Sequence, residues 1–211
     1  MKSTHAIFLA GLLAVLSSCG ESIQDAKNAY SVMKNASEIS DNYVKAQSEA
    51  QKKLEERRAK GDTLAMNYKE LQKFLPSEIK GYTGEGEIEG NSVNMEGMSY
   101  SSVEHNYKKG DSYLNISLVD YNSAHDLYSG LTAMWATGMS IEDNNQIANG
   151  TSLKNGTLKG WEVYHKEEKR AELMLGVVGR FFLSISLDQQ DNTDLIKEIA
   201  ESLDLSELEK L

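Results

Sequence analysis

Few residues in this chain could carry chemistry. Cys19 is the single cysteine in 211 residues. A lone thiol cannot close an internal disulfide and is otherwise a loose reactive group. The histidines that follow it are His105, His125 and His165. No two lie three or four positions apart, and a zinc site needs three or four ligands, so no metal or cofactor is expected. His105 is read as half-buried or at the surface, on a strand face shared with Tyr107. His125 falls in a first helical turn, where positive charge is disfavoured, and is expected at the surface. Glu85, Glu87 and Glu89 alternate on one strand face and could hold calcium weakly. A charged edge that resists aggregation is the preferred reading. Arg180 follows a glycine at a strand start, and a structural pairing with a carboxylate is preferred over ligand binding. No nucleophile elbow, phosphate loop or dinucleotide fingerprint occurs, because Gly84-x-Gly86 lacks both the third glycine and a following helix. No catalytic set is nominated.

The elements around Cys19 give that thiol a purpose. Met1–His5 is a short start with one firm positive charge, and Ala6–Leu16 is an uncharged apolar run. Such a run suits the core of a signal peptide and is too short for a bilayer, which needs about 20 apolar residues. It ends in Leu16-Ser17-Ser18-Cys19, which resembles the bacterial lipobox. The resemblance implies removal of residues 1–18, a diacylglycerol on the Cys19 thiol and a further palmitate-like chain on its amine. More than one acyl chain makes a stable anchor, at about 0.8 kcal/mol per buried CH₂. A membrane partner through this lipid is therefore expected. Gly20, by resemblance to lipoproteins of Gram-negative bacteria, favours the outer membrane, with the folded part in the periplasm or at the cell surface.

The chain has 22 basic and 32 acidic residues, a net charge of −10. Loss of Lys2 with the signal would make the remainder one unit more negative. Nucleic acid is an unsuitable partner for such a chain, since its binding depends on lysines and arginines that neutralise phosphates. Adhesion to anionic lipid by charge is disfavoured for the same reason.

Composition breaks near residue 60. Residues 22–58 have no Gly or Pro and read as one long helix. Ala29, Val32, Ala36, Ile39, Tyr43, Ala46 and Ala50 follow the 3,4 spacing of a coiled-coil seam, which fades at Lys53. Small seam residues bury little area. A solvated stalk of about 55 Å is preferred, over a helix folded back on the domain or one pairing with a partner. Residues 19–62 are thus assigned to the lipidated cysteine and stalk, and 63–211 to one α+β domain.

Within that domain Asn67 caps a short helix that Pro76 stops. Residues 82–90 suit an edge strand. Met98–Tyr107 and Tyr113–Tyr121 form a hairpin about Lys108-Lys109-Gly110-Asp111, with Leu114, Ile116 and Leu118 inward. A helix follows Asn122 or Ser123 to about Thr137, with Ala124, Leu127, Tyr128, Leu131, Met134 and Trp135 on its core stripe. Asn149-Gly150-Thr151 and Asn155-Gly156-Thr157 read as tandem turns flanking a short strand. Three strands follow, over 160–165, 172–178 and 180–187, and then a helix over about 193–203. The expected fold is α+β: a long N-terminal helix, then a mostly antiparallel sheet of about five to six strands with helices packed on it.

Leu75-Pro76, Gly81-Tyr82, Tyr107 with Gly110-Asp111, Ile116 with Asp120, Gly160-Trp161-Glu162-Val163-Tyr164 and Val178-Gly179-Arg180-Phe181 together resemble a group of envelope proteins. Their domain is similar to the PsbP-like α/β/α sandwich. The resemblance covers about residues 64–211 and implies a fold, with no catalytic residues to carry over. The expected function is that of a non-enzymatic envelope lipoprotein that binds another envelope protein or a small ligand. The alternative is a structural or assembly factor acting through its N-terminal helix.

Overall fold

The computed structural model describes residues 44–45, 48–96, 98–132, 135 and 139–211. Cys19, the apolar run and most of the expected stalk lie outside the described residues. The strands are β1 (Glu78–Ile79), β2 (Tyr82–Met95), β3 (Met98–Lys109), β4 (Ser112–Asp120), β5 (Ser140–Glu142), β6 (Gln146–Leu153), β7 (Leu158–His165), β8 (Arg170–Val177) and β9 (Phe181–Leu187). They form one sheet in the order β1-β2-β3-β4-β9-β8-β7-β6-β5, and every neighbouring pair is antiparallel.

This corrects the expected fold in two respects. The sheet has nine strands instead of five to six, so the chain is richer in β structure. The helices are short, and no long N-terminal helix is described. Residues 44–45 and 48–59 are helical, and the latter stretch is called α1. Its end is not a free stalk, because Leu54 and Arg57 are buried. The remaining helices are α2 (Tyr68–Leu71), α3 (His125–Thr132) and α4 (Asp194–Ser202).

Two of the extra strands come from residues 140–153, and a third is the two-residue β1. Asn149-Gly150-Thr151 is not a turn; it lies inside β6, where Gly150 pairs with Trp161. The second Asn-Gly does turn, with φ positive at Asn155 and Gly156, a conformation that both residue types tolerate. The charged-edge strand is also longer than expected. It runs to Met95, with a register shift between Glu85 and Glu89.

The main core lies on one face of the sheet. Val103, Leu114, Ile116, Leu118, Leu158, Leu173, Leu175, Leu183, Ile185 and Leu187 alternate inward and meet Leu71 and Leu75 from the α2 region and Ile196 and Ile199 from α4. Asn67 caps α2 through its side chain, which accepts from the Lys69 amide at 3.0 Å. On the opposite face a smaller cluster of Ala148, Trp161 and Val163 packs with Trp135, Ile141 and Met174. Trp135 stacks on Phe182 with ring centroids 5.5 Å apart. Gly176 lies under α3: a Cβ there would come within 2.4 Å of the Tyr128 hydroxyl. The α3 stripe is only partly inward. Ala124 and Tyr128 are buried, whereas Leu127 and Leu131 are about half exposed, at 51% and 48%.

Candidate functional site

The described histidines are not brought together. His105 lies in the core face of β3, His125 on α3 and His165 at the end of β7. His105 and His125 are both buried, which corrects the half-buried or surface placement expected for His105 and the surface placement expected for His125. A Cβ at Gly84 would come within 2.3 Å of His105 Cε1, so the glycine opens the seat for that ring. His105 packs against Tyr107 at 4.5 Å between centroids. Neither ring nitrogen of His105 nor the Tyr107 hydroxyl has a hydrogen-bond partner among the described residues. Burial pushes the Tyr107 phenol up to about 12, so it stays a neutral hydroxyl at ordinary pH. His125 accepts or donates to Ser129 Oγ at 3.1 Å through Nε2. Burial lowers its pKa, and the nearby Arg57 charge adds to that. His165 Nε2 lies 3.5 Å from Glu172 Oε2. Among the described residues, no three His, Cys, Asp or Glu side chains are placed to hold a metal ion.

Arg180 is the centre of a buried polar cluster. Its Nε and Nη2 donate to the two oxygens of Asp120 at 2.8 and 2.7 Å, a bidentate fork. Nη1 donates to Asp62 at 2.6 Å. Asp120 is fully buried and also accepts from the amides of Met66 and Asn122. Asn122 donates to Asp62 and to the Leu64 carbonyl, and accepts from Arg57 Nε at 2.9 Å. Burial alone lowers the Arg180 pKa, but the hydrogen bonds and charges of Asp120 and Asp62 outweigh it and raise the net value. Burial and the Arg180 charge lower the Arg57 pKa, opposed by the same two carboxylates. Two arginines balance two aspartates here. The cluster ties the end of α1 and the segment over 62–66 to the sheet. Arg57 Nη2 is buried without a hydrogen-bond partner among the described residues; the other bonds named here join members of the cluster to one another, an arrangement suited to a structural joint.

Among the described residues, two adjoining depressions lie on the other face, astride Trp135. On one side a depression of about 460 Å³ is bounded by Met139, Ser140, residues 149–152 and Lys159. On the other a cleft of about 510 Å³ runs between α1 and the sheet, bounded by Glu49, Lys53, Tyr128, Lys159, Gly176 and Gly179. Trp135 and Lys159 border both. Gly150 forms open floor, with nothing within 4 Å of where its Cβ would be. Burial raises the Tyr128 phenol to about 12, so it meets this cleft as a neutral hydroxyl. The lining combines amphipathic aromatics with a few polar groups, the general make-up of recognition sites.

Sequence patterning read Gly150 only as part of a turn and did not single out Lys159 or the two members of the polar cluster nearest the chain's start. Arg57 sat in a run that reads as charged all round, and Asp62 read as the end of a helix. One available signal was an internal repeat. Gly110-Asp111-Ser112-Tyr113-Leu114-Asn115-Ile116-Ser117-Leu118 and Gly179-Arg180-Phe181-Phe182-Leu183-Ser184-Ile185-Ser186-Leu187 are identical at five of nine positions. They are β4 and β9 with their leading turns, and they pair with Ile116 opposite Ile185. An approximate local two-fold therefore passes between those two isoleucines, and the repeat marks the two strands as central neighbours.

No protein-family model, curated protein or solved structure matches the chain.

Proposed function

We propose that this chain is a lipid-anchored envelope protein whose folded part is a non-enzymatic binding module for another envelope protein. The lipobox-like Leu16-Ser17-Ser18-Cys19 supports the anchor, and Gly20 supports an outer-membrane address. No helix among the described residues is long and apolar enough to cross a membrane. The net charge of −10 disfavours nucleic acid.

The observation that carries the binding reading is the half-exposed pair Leu127 and Leu131, one turn apart on α3. They share that helix with Tyr128, which borders the cleft. Apolar side chains grouped at the surface beside a recognition groove favour a protein partner over a small enclosed ligand. The assembly-factor reading needs a free N-terminal helix, and the described end of α1 is engaged with its own domain through Leu54 and Arg57.

The test places a photo-crosslinking amino acid at Leu131 or, as a control, at the exposed hairpin residue Asp111, in cells that make the full chain. A discrete adduct from position 131 and none from 111 is expected. Equal adducts from both positions, or none from 131, contradict the binding-module reading.

A further inference from the structure

The chain has two Asn-Gly pairs, Asn149-Gly150 and Asn155-Gly156, and a threonine follows each. An asparagine before glycine can react with its own main chain. The glycine amide nitrogen attacks the asparagine side-chain carbonyl carbon, and glycine has no Cβ to obstruct the approach. Local sequence makes the two pairs nearly equivalent. The fold makes them different.

Asn149 lies inside β6 with a strand on either side. It is paired with Ser140 of β5 and Glu162 of β7. It is half-buried, and its Oδ1 accepts from Ser140 Oγ at 2.7 Å. To bring the Gly150 nitrogen onto Asn149 Cγ, the backbone about Asn149 must rotate and the side chain must leave Ser140. The ladder must open locally before either can happen.

Asn155 stands at the tip between β6 and β7. Lys154, Asn155 and Gly156 form a short 3-10 turn there, with φ of 48°, 56° and 92°. Asn155 and Gly156 are exposed, and the Asn155 side chain makes no hydrogen bond among the described residues. The turn is held by Thr157, whose hydroxyl and amide donate to the Lys154 carbonyl at 2.9 and 3.3 Å. Both bonds span Asn155 without involving its side chain. Rotation at this tip need not part the nearest ladder pair, Leu153 with Leu158.

We propose that Asn155 is a site of spontaneous deamidation and that the sheet protects Asn149 from the same reaction. A bond forms between the Gly156 nitrogen and Asn155 Cγ. The amide proton passes to solvent base, and the side-chain nitrogen leaves as ammonia, taking its proton from water. Water then opens the five-membered imide at either carbonyl. One opening gives aspartate. The other gives isoaspartate, in which the main chain runs through the former side-chain carbon. Either product puts a carboxylate next to Lys154, whose Nζ donates to the Leu203 carbonyl at 3.0 Å and lies 3.9 Å from Glu209. Gly156, Thr157 and Glu209 border the cleft of about 510 Å³, so the new charge arises at its rim.

This inference is independent of the binding-module reading. The full chain, purified in detergent, is incubated at mildly alkaline pH, sampled over time and digested with trypsin. Cleavage after Lys154 separates the two asparagines. The mass gain of an amide converted to an acid, located by fragmentation, gives each rate, and enzymatic methylation counts isoaspartate. Asn155 is expected to convert to both products at least about tenfold faster than Asn149, which corresponds to about 1.4 kcal/mol of opening free energy at the strand. In urea sufficient to unfold the chain the two rates are expected to converge. Equal rates in the folded chain, a faster Asn149, or no conversion of Asn155 in the folded chain overturns the proposal. So does a gap that persists unchanged in urea, since local sequence and not the fold then sets it.

Discussion

The two ends of the β4–β9 pair begin from nearly the same sequence and finish as different environments. Both strands follow a glycine turn and carry Leu-x-Ile-Ser-Leu, and they meet about Ile116 and Ile185. At one end, Arg180 is buried in a bidentate fork with Asp120 and tied to Asp62, Asn122 and Arg57. At the other, the residue equivalent to Arg180 is Asp111, which is exposed. There Asp188 accepts from the Tyr113 amide at 2.6 Å and the Ser112 hydroxyl at 3.0 Å, beside a depression of about 350 Å³. The difference lies in what arrives from outside the repeat. The end of α1 and the segment over 62–66 cover the Arg180 end and supply Asp62 and Arg57. Nothing comparable caps the Asp188 end among the described residues. A shared β framework thus becomes an anchoring joint at one end and an open rim at the other.

Substitutions at the two ends sharpen the contrast. Arg180→Met leaves Asp120 buried with its main counter-charge gone and is expected to cost about 3–5 kcal/mol. Urea unfolding monitored by circular dichroism measures it, and a cost under about 1 kcal/mol would break the distinction. Asp188→Ala removes two partly exposed hydrogen bonds and is expected to cost about 1 kcal/mol by the same assay. A loss as large as that of Arg180→Met would mean that the two ends are energetically alike.

The smallest effect is a pH dependence confined to the Arg180 end. His125 faces Arg57 and Arg58 from α1, with Asp126 as the nearby opposing charge. Its pKa in the folded chain lies below the ordinary value of 6.5. The unfolded chain therefore takes up the proton first as the pH falls. The contribution is complete above about 6.5 and is lost as the pH drops through the lowered folded value. His125→Gln is expected to flatten the change in stability between about pH 7 and 5. An unchanged slope would show that His125 is not coupled to this joint.

How much of this was legible depended on period and on locality. The β3–β4 hairpin was readable because Leu114, Ile116 and Leu118 alternate beside a glycine turn. α4 was readable because Ile196 and Ile199 recur at helical spacing. β5 and β6 were missed because Asn149-Gly150 carries a strong local turn signal that pairing with Trp161 overrides. Of the helix expected over 22–58, the described residues 44–45 and 48–58 are helical, and what the pattern did not show is that Leu54 and Arg57 are buried against the domain. Arg180 was expected in a salt bridge, but its partners lie 60 and 118 residues away, beyond any local pattern. The groove was invisible for the same reason, since α1, α3, β6 and β7 meet only in the fold.

The central claim is that a binding module is held on a membrane through Cys19. Labelling cells with an alkyne fatty acid and isolating the protein tests it most directly. The wild-type chain is expected to carry the label, sediment with membranes and begin at Cys19 by mass, whereas Cys19→Ser carries none. Equal labelling and membrane retention of Cys19→Ser would contradict the account.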